Sequence, residues 1–524
     1  MSKKSILSKR LLLVTLMSCF LAVNLFSQTW IMNDMFSTPD AQESDFVGGA
    51  MSQYEDILVV GSQYNSYDIN GLDFVDNAGA VYVYNKLSNG KWKFSEKMLG
   101  PVRKEGVLFG STVCVYEDYL FVYSYEDVKT FSKAGKINVY EMGSNGRYKH
   151  LQTLVPNAPE AYEKFGSVMA ANENYLVVGS PGVGSVSIFK LSSSGLWEFT
   201  QKLSQPGKLE STGFGLSLAL SDNRILIGAP YFDPVGEGFS YNSGIVYYYE
   251  YDLRGLPRSW KLESTIITSN QHDDDRFGSA VAFDGTTIYI GCLGEDYDEN
   301  GYSYVANAGG VYSYKQNAIS GNWTFKNKLV AKLRVAGACL GTSLSVSGDF
   351  LAVGAKYDST DKYGANEIES TGSVYLFSKK TGDWVCNQKI ILENREKWGY
   401  FSCSMSLYQG FLVATSTGSD AYGLDKGAIF CYEYQPAAGI PQEELRSLVD
   451  IFPNPVSEKL FISLGPSLSP VSISLATITG SVIYNQDVSD DQISVDFSPY
   501  PTGIYFLHIE TNQGQITKKI IHNN

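Results

Sequence analysis

The sequence is poor in the residues and motifs on which most enzymes and nucleic-acid-binding proteins depend. Only four of its 524 residues are histidine, charged residues make up 18%, and the formal net charge is −14. An acidic chain repels nucleic acid and anionic membrane surfaces, so we expect neither as a partner. No HExxH, G-x-S-x-G or G-x-x-x-x-G-K-[ST] motif occurs, and no carboxylate stands out as a hydrolytic residue. We therefore expect no enzymatic activity and no cofactor.

Long apolar runs and helical periodicity are missing as well, except at the N-terminus. There, Leu11–Phe26 is apolar throughout, four basic residues precede it, and Ser27 follows it, which is the order found in secretory signal peptides. A retained membrane anchor is the alternative, although a bilayer-spanning helix needs about 20 residues. We predict a cleaved signal peptide at residues 1–28. Loss of its four basic residues takes the formal charge from −14 to −18.

Cysteine pairs with the spacing of metal or redox motifs are also absent. Six cysteines follow the signal peptide, each within or beside an apolar strand-like run: Cys114, Cys292, Cys339, Cys386, Cys403 and Cys431. A chain of this length can build its core without disulfides, so we expect small buried thiols. A disulfide framework is the alternative.

Glycine, tyrosine and phenylalanine are abundant, with 50, 36 and 27 residues, a composition that favours strands joined by tight turns. One unit recurs seven times, as in FGSAVAFDGTTIYIGC at residues 277–292. Its anchor positions lie 49 to 63 residues apart, at Gly48, Gly110, Gly166, Gly215, Gly278, Gly341 and Ser402. We interpret the preceding Asp274, Asp275 and Arg276 as the polar rim of a crossing loop.

Each unit predicts four antiparallel strands. The first two are followed by a polar loop, a Gly-led alternating run such as GSVYLFSK, and in most units a Trp-led run such as SGLWEFTQKL. The last unit lacks its Trp-led run, and Trp30 opens such a run before the first unit. Pairing this strand into the last sheet would close a ring and remove two exposed edges. We predict an all-β chain whose residues 29–435 form a seven-bladed β-propeller.

These units resemble the FG-GAP repeats of integrin α-chain propellers, and more closely the shorter bacterial variety. The matching elements are the Phe-Gly start, the Gly-Ala or Gly-Ser end of the second strand and the GxVYxY run. Single positions depart from the pattern at Tyr123, Leu340, Ser402 and Ala414. The interval that holds a calcium loop in integrins is only a tight turn here, as at Asp284-Gly285, too short for six to eight oxygen ligands.

One other segment is a candidate calcium loop. Asp296, Asp298 and Asn300 occupy alternating positions before Gly301, as in the first half of such a loop. No acidic residue follows at Tyr304 or Asn307 to complete the coordination. A solvated acidic loop is the alternative, and calcium is the only cofactor we consider.

Loops between the second and third strands vary most in length, and they lie on one face of the predicted propeller. Variable loops on a rigid scaffold commonly carry function, and tyrosine suits both protein contacts and sugar stacking. The candidate ligand-binding residues are Tyr67, Asp68, Tyr231, Asp233, Tyr241, Tyr297, Tyr302, Tyr357, Asp358 and Asp361, with Tyr64 beside them. The alternative is tolerated variation in loop length.

The repeat pattern stops after Gln435. Residues 436–447 are predicted as a linker, and residues 448–524 contain short alternating runs that predict a small immunoglobulin-like β-sandwich. This segment resembles the type A C-terminal sorting domain of the type IX secretion system of Bacteroidetes. The matching residues are Pro453, Asn454, Pro455, Gly480, Gly503, Tyr505, Lys518 and Lys519. The resemblance implies export through the periplasm by that machinery to the exterior or the cell surface; an accessory sandwich is the alternative.

We therefore expect a monomeric, non-enzymatic adhesion or recognition protein that binds an unknown protein or glycan through the propeller loops. A carbohydrate-binding or polysaccharide-processing protein that uses the same face is the alternative. A purely structural surface component is a third possibility.

Overall fold

The computed structural model describes residues 29–208, 212–234, 241–317, 321–380, 383–435, 449–464, 470–477, 482–488, 492–511 and 514–523. The predicted signal peptide, the predicted linker and Gly480 lie outside these residues. Within them the regular secondary structure consists of strands, joined by turns and loops, and one short 3-10 helix at Pro206–Lys208. The prediction of an all-β chain is confirmed. The chain divides into two compact units, Ile31–Glu433 and a second that comprises Tyr434–Asn524 with Met1–Trp30.

The repeats form four-stranded antiparallel sheets, seven of them within the described residues. Six sheets each use four consecutive strands, and the seventh adds the first strand of the chain. Sheet 1 contains β2 (Ala50–Tyr54), β3 (Ile57–Ser62), β4 (Ala80–Lys86) and β5 (Trp92–Leu99). Sheet 2 contains β6 (Val113–Tyr116), β7 (Tyr119–Ser124), β8 (Lys136–Met142) and β9 (Tyr148–Leu154). Sheet 3 contains β10 (Val168–Ala171), β11 (Tyr175–Ser180), β12 (Ser185–Leu191) and β13 (Trp197–Ser204).

The remaining sheets of this set follow the same order. Sheet 4 contains β14 (Ser217–Ser221), β15 (Arg224–Ala229), β16 (Ile245–Tyr251) and β17 (Trp260–Ile266). Sheet 5 contains β18 (Phe277–Phe283), β19 (Thr287–Cys292), β20 (Gly310–Gln316) and β21 (Trp323–Leu329). Sheet 6 contains β22 (Ser343–Ser347), β23 (Phe350–Ala355), β24 (Ser373–Lys380) and β25 (Asp383–Ile390). Sheet 7 contains β26 (Met405–Tyr408), β27 (Phe411–Ser416), β28 (Ala428–Gln435) and, at its outer edge, β1 (Thr29–Phe36).

The first strands of these sheets contact one another in a closed cyclic order. The strand β2 contacts β6, each later first strand contacts the next one, and β26 contacts β2 again. Together with the pairing of β1 beside β28, this arrangement is propeller-like. The prediction that Trp30 begins the missing strand of the last sheet is confirmed.

Glycine allows neighbouring sheets to approach closely near their first two strands. A Cβ added to Gly291 on β19 would lie 2.2 Å from the carbonyl oxygen of Gly341, and one added to Gly61 would lie 1.9 Å from that of Gly110. Neither glycine has a positive φ. A side chain is therefore excluded by the close approach of the neighbouring sheet and not by the backbone conformation. This explains why the second strand of most repeats ends in a glycine followed by a small residue.

Apolar side chains fill the spaces between adjacent sheets. One such cluster joins sheets 4 and 5 and includes Leu226, Tyr248, Phe277, Ile290 and Tyr312, all buried. The repeated Phe277 is fully buried in this cluster. The six cysteines carry free thiols, and Cys114, Cys292 and Cys431 are buried.

The C-terminal strands form two antiparallel sheets of their own. One contains β29 (Val449–Phe452), β30 (Lys459–Leu464) and β33 (Gln492–Asp496) in that order. The other has the order β32 (Val482–Asp487), β31 (Pro470–Thr477), β34 (Gly503–Thr511) and β35 (Gly514–His522). Leu460, Ile473, Phe497, Leu507 and Ile516 are fully buried in the core formed by the two sheets.

Candidate functional site

Three of the variable loops are built around the same Asp-x-x-Gly turn. Oδ1 of Asp68 accepts the backbone N–H groups of Asn70 and Leu72, and Oδ1 of Asp298 accepts those of Asn300 and Tyr302. Asp361 repeats the arrangement in sheet 6. The backbone hydrogen bond from Leu72 lowers the pKa of Asp68, and the bond from Tyr302 does the same for Asp298. These carboxylates therefore shape the loops that carry them.

Beneath two of these loops lies a buried carboxylate that pairs with a lysine of the outermost strand. Asp358 lies 2.8 Å from the ammonium of Lys389 and accepts hydrogen bonds from Ser373 and Tyr375. Glu295 lies 2.7 Å from Lys328 and accepts the hydroxyl of Tyr312. Burial disfavours the charge of Asp358, but Lys389 and the hydrogen bonds outweigh this effect and lower the pKa of that carboxyl.

This arrangement corrects the prediction that Asp358 contacts a ligand. Its side chain is fully buried, because the loop folds over it and encloses its partners. A carboxylate in this position fixes the loop to the outermost strand and is unavailable to a molecule in solvent.

Asp275 departs from prediction in the same way. It is 1% exposed, and its carboxylate lies near the buried Cys292 and Glu295, with potential ligand atoms of the three within 4.8 Å of one another. Burial raises the pKa of Asp275 to about 7, and the neighbouring charge of Glu295 adds to the shift. The interpretation of Asp275 as part of a polar rim is wrong, because its side chain is buried beside Cys292 and Glu295.

Two of the residues predicted to bind calcium accept hydrogen bonds from the backbone of their own loop. Asp296 accepts the backbone N–H of Asn307 at 2.6 Å, and Asp298 accepts the N–H groups described above. The structure does not place Asp296 and Asp298 in any close group of three acidic, histidine or cysteine ligands among the described residues. A calcium site at Asp296, Asp298 and Asn300 stays a prediction.

The predicted tyrosines divide into exposed and packed groups. Tyr302 is 89% exposed and Tyr241 63%, and Tyr231 and Tyr357 are also exposed. Tyr67 and Tyr297 instead pack inside their loops, against Phe74 and Tyr304 respectively. Asp233 accepts the backbone N–H of Asn242 and stabilises its own loop.

Sequence reasoning missed most of a cavity that is formed by loops of three neighbouring sheets, and we call it the aromatic cavity. It has a volume of about 480 Å³ and is lined by Ser44, Phe46, Gly49, Gln63, Tyr64, Asn77, Lys356, Tyr400, Cys403 and Thr417. Sheets 6, 7 and 1 all contribute. No sequence motif marks these positions, because they come from segments more than 300 residues apart. A larger groove of about 1080 Å³ lies near the outer strands of sheets 5 and 6, between charged side chains of both signs.

In the C-terminal unit, the predicted sorting residues Asn454 and Lys519 are brought together. The Asn454 amide donates to the backbone oxygen of Lys519 at 2.9 Å and accepts the N–H of Ile521 at 2.8 Å. The Tyr505 hydroxyl donates to the oxygen of Pro501, and Gly503 begins β34. Pro453 and Pro455 flank Asn454 with cis peptide bonds, and Lys518 lies on β35.

Family models match both units. An FG-GAP repeat model matches residues 260–312 and 323–377, and a secretion system C-terminal sorting domain model matches residues 450–523. No curated protein matches the chain. Among the described residues, no helix is long and apolar enough to cross a membrane.

Solved structures of similar fold have very different sequences. A candidate 6-phosphogluconolactonase from Bacteroides uniformis is 11% identical, with a TM-score of 0.44, over 66% of this chain and 85% of that one. A protein from Lactobacillus plantarum is 12% identical, with a TM-score of 0.43, over 67% and 86%. A second candidate 6-phosphogluconolactonase, from Bacteroides fragilis, is 11% identical, with a TM-score of 0.42, over 66% and 84%.

These neighbours correct the expectation that the chain is not an enzyme. Two of the three are candidate 6-phosphogluconolactonases. At these identities, the likeness assigns neither a substrate nor a catalytic residue to this chain.

The sorting domain indicates export by the type IX secretion system, with which it interacts, and a cell-surface or secreted location. With the repeat matches, the resemblance inferred from the sequence is confirmed. The chain contains FG-GAP repeats at residues 260–312 and 323–377 and a secretion system C-terminal sorting domain at residues 450–523.

Proposed function

We propose that residues 29–435 form a seven-bladed β-propeller and residues 448–524 an immunoglobulin-like sorting domain, joined by a linker at residues 436–447. The cyclic contacts of the first strands and the pairing of β1 beside β28 support the closed ring. The two C-terminal sheets with a shared apolar core support the sandwich. We retain the signal peptide at residues 1–28 as part of this proposal, since the sorting domain requires passage through the periplasm.

The exported propeller functions in adhesion or recognition as a monomer, and it binds a protein or glycan through the loops between the second and third strands. The observation that carries this proposal is the exposure of two tyrosines on fixed loops. The loop of Tyr302 is held by the buried ion pair of Glu295 and Lys328, and the backbone of Tyr241 is hydrogen-bonded to Asp273 and Asp274. Tyrosine contributes large contact area at low entropic cost when its backbone is already fixed. A carbohydrate-binding or polysaccharide-processing role is the second candidate, because the aromatic cavity lies at the same end of the strands.

A binding screen of the purified full-length exported protein tests this function. The protein is applied to a glycan array and to immobilised extracellular-matrix proteins, and Tyr302→Ala and Tyr241→Ala are compared with the parent. Leu256→Ala is the matched control, because Leu256 is 92% exposed but lies in the turn between β16 and β17, at the opposite end of the strands. A ligand that is retained equally by all four proteins contradicts a role for these loops.

Calcium at Asp296, Asp298 and Asn300 is part of the proposal only as a structural ion of one loop. A thermal shift on addition of calcium that is lost in Asp298→Asn supports it. If calcium leaves the melting temperature unchanged, the calcium site is refuted, and the proposed binding role of the loops is unaffected.

A further inference from the structure

The aromatic cavity has a composition that the repeat itself does not require. In every repeat, the second residue before the anchor position has a positive φ, between 47° and 74°: Phe46, Leu108, Lys164, Gly213, Arg276, Cys339 and Tyr400. The shared backbone conformation therefore occurs with glycine, leucine, cysteine, basic and aromatic residues. Aromatic rings occupy this position only in sheets 1 and 7, which are neighbours, and both rings line the cavity.

Phe46 and Tyr400, which line the cavity, each belong to an edge-to-face aromatic pair. Phe46 packs against Tyr64 with ring centroids 5.7 Å apart, and Tyr357 packs against Tyr400 at 6.0 Å. The first pair belongs to sheet 1. In the second pair, Tyr357 follows β23 of sheet 6 and Tyr400 precedes β26 of sheet 7. Ring faces held by such contacts offer rigid apolar platforms for the C–H face of a pyranose.

A single cation lies beside the second pair. The ammonium of Lys356 is 5.0 Å from the ring centroid of Tyr400 and 5.7 Å from that of Tyr357. It forms no ion pair with any described residue, whereas Lys97, Lys328 and Lys389 each lie next to a carboxylate. Neither Asp nor Glu belongs to the described lining of the cavity. In a chain of net charge −14, an unpaired lysine in a cavity without carboxylates favours an anionic group.

The other polar groups of the lining suit hydroxyl groups. The side-chain amide of Gln63 and the hydroxyls of Tyr64 and Thr417 have no hydrogen-bond partner among the described residues. Asn77 also lines the cavity, and its side-chain amide donates to the carboxylate of Asp76. Each offers donors or acceptors of the kind that fix sugar orientation. The volume of about 480 Å³ falls within the range of small-ligand pockets and is larger than one sugar ring needs.

We propose that the aromatic cavity binds a carboxylate-bearing pyranose, a uronic acid unit of an acidic polysaccharide. The sugar ring stacks between the two aromatic pairs, its carboxylate pairs with Lys356, and its hydroxyls bond to Gln63 and Thr417. This inference rests on the proposed function, since it names the ligand class for the same end of the propeller.

Isothermal titration of the full-length exported protein with tetragalacturonate and tetraglucuronate tests the proposal. The neutral probes are the same oligosaccharides after reduction of their carboxylates to primary alcohols. We expect one of the acidic probes to bind, its affinity to fall with added salt, and its carboxyl-reduced form to bind about tenfold or more weakly. Absence of binding by both acidic probes, or equal binding of acidic and reduced forms, overturns the proposal.

Two lysine variants give the matched comparison. Lys356→Met keeps the alkyl stem and removes the charge, and it should weaken binding of the acidic probe about tenfold or more without changing the melting temperature. Lys362→Met is the control, because Lys362 also lies 5.0 Å from a tyrosine ring, that of Tyr363, but outside the cavity. Equal loss in both variants, or in neither, contradicts the assignment of the carboxylate to Lys356.

The array described above separates this inference from the proposed function. Retention of neutral glycans or proteins that depends on Tyr241 or Tyr302 but not on Lys356 leaves the loop-face function intact and refutes the uronic acid site. Binding of the acidic probe that depends on Lys356 alone supports the cavity and refutes the wider loop surface.

Discussion

The side-chain amide of Gln201 forms two hydrogen bonds with the backbone of Trp260 in the neighbouring sheet. Oε1 accepts the Trp260 N–H at 2.8 Å, and Nε2 donates to the Trp260 oxygen at 2.9 Å. Gln152 binds Trp197 in the same way at 2.9 and 3.0 Å. Each glutamine lies four residues after the aromatic residue that opens its own strand. The outer strands of sheets 2, 3 and 4 are therefore linked in series.

Gln201→Ala should lower the free energy of unfolding by about 1–3 kcal/mol, because it leaves the Trp260 N–H and C=O without these partners. Urea denaturation of the full-length protein measures the loss. Glu198→Ala is the control, since Glu198 is exposed on the same strand and has no side-chain partner among the described residues. An equal effect of the two substitutions would show that the link contributes nothing to stability.

Asp275→Asn should remove a pH-dependent destabilisation of the folded protein. The Asp275 pKa of about 7 lies above its value of 3.8 without burial, so the folded state binds the proton more tightly than the unfolded state. The stability contributed by this group is complete below pH 3.8 and is lost as the pH rises to about 7, by as much as about 4 kcal/mol. The unfolding free energy of Asp275→Asn relative to the parent should therefore increase between pH 4 and pH 8.

Asp358→Asn should show the opposite trend, which makes it a matched variant. The pKa of Asp358 is lowered, so its contribution to stability is present above pH 3.8 and disappears as the pH falls through the folded-state pKa. At neutral pH, the substitution leaves Lys389 buried without its carboxylate and should cost about 3–5 kcal/mol. Parallel pH profiles for the two variants would refute at least one of the two assignments.

Gly291→Ala should destabilise the propeller-like unit by about 1–3 kcal/mol or more, because the new methyl would meet the Gly341 oxygen at 2.2 Å and push sheets 5 and 6 apart. The melting temperature reports this effect. Gly49→Ala is the comparison: Gly49 also lacks a positive φ, and the nearest atom to its added Cβ is 3.8 Å away. If the melting temperatures of Gly291→Ala and Gly49→Ala are equal, the neighbouring sheets accommodate the methyl group without loss of stability.

Asn454→Ala should loosen the sorting domain and reduce export. It removes the two hydrogen bonds that join residue 454 to β35, a loss of about 1 kcal/mol at an exposed site. Immunodetection in periplasmic and extracellular fractions of a host with a type IX secretion system measures the distribution. Asn485→Ala, on the exposed part of β32, should leave it unchanged. Full export of Asn454→Ala would mean that this link is dispensable for recognition.

The repeat architecture was accessible from the sequence because each sheet is a local structure. Alternation of side chains, turn glycines and the Trp-led run recur within about 60 residues, and strand pairing follows chain order. The displaced edge strand at Trp30 was also predictable, since the last repeat lacks one strand and the first residues supply it. The sorting motif was recognisable because its elements occur in a fixed order.

Side-chain environments within the loops were not predictable in the same way. Asp358 and Asp361 lie three residues apart in one polar segment, yet one is buried against Lys389 and the other caps a turn. Asp275 and Glu295 belong to different loops that meet only after sheet 5 has formed. Burial of a charge depends on partners from distant strands, so the sequence alone made Asp275 and Asp358 appear accessible to solvent.

The sequence by itself determined the all-β class, the repeated strand order, the edge strand at Trp30 and the exported location. These properties depend on short-range periodicity and on contiguous motifs. Only the tertiary structure decided which polar residues face solvent, where Gln201 meets Trp260, and that Phe46, Lys356 and Tyr400 share one cavity. Ring closure brings segments more than 300 residues apart into contact, and no local pattern encodes which side chains meet there.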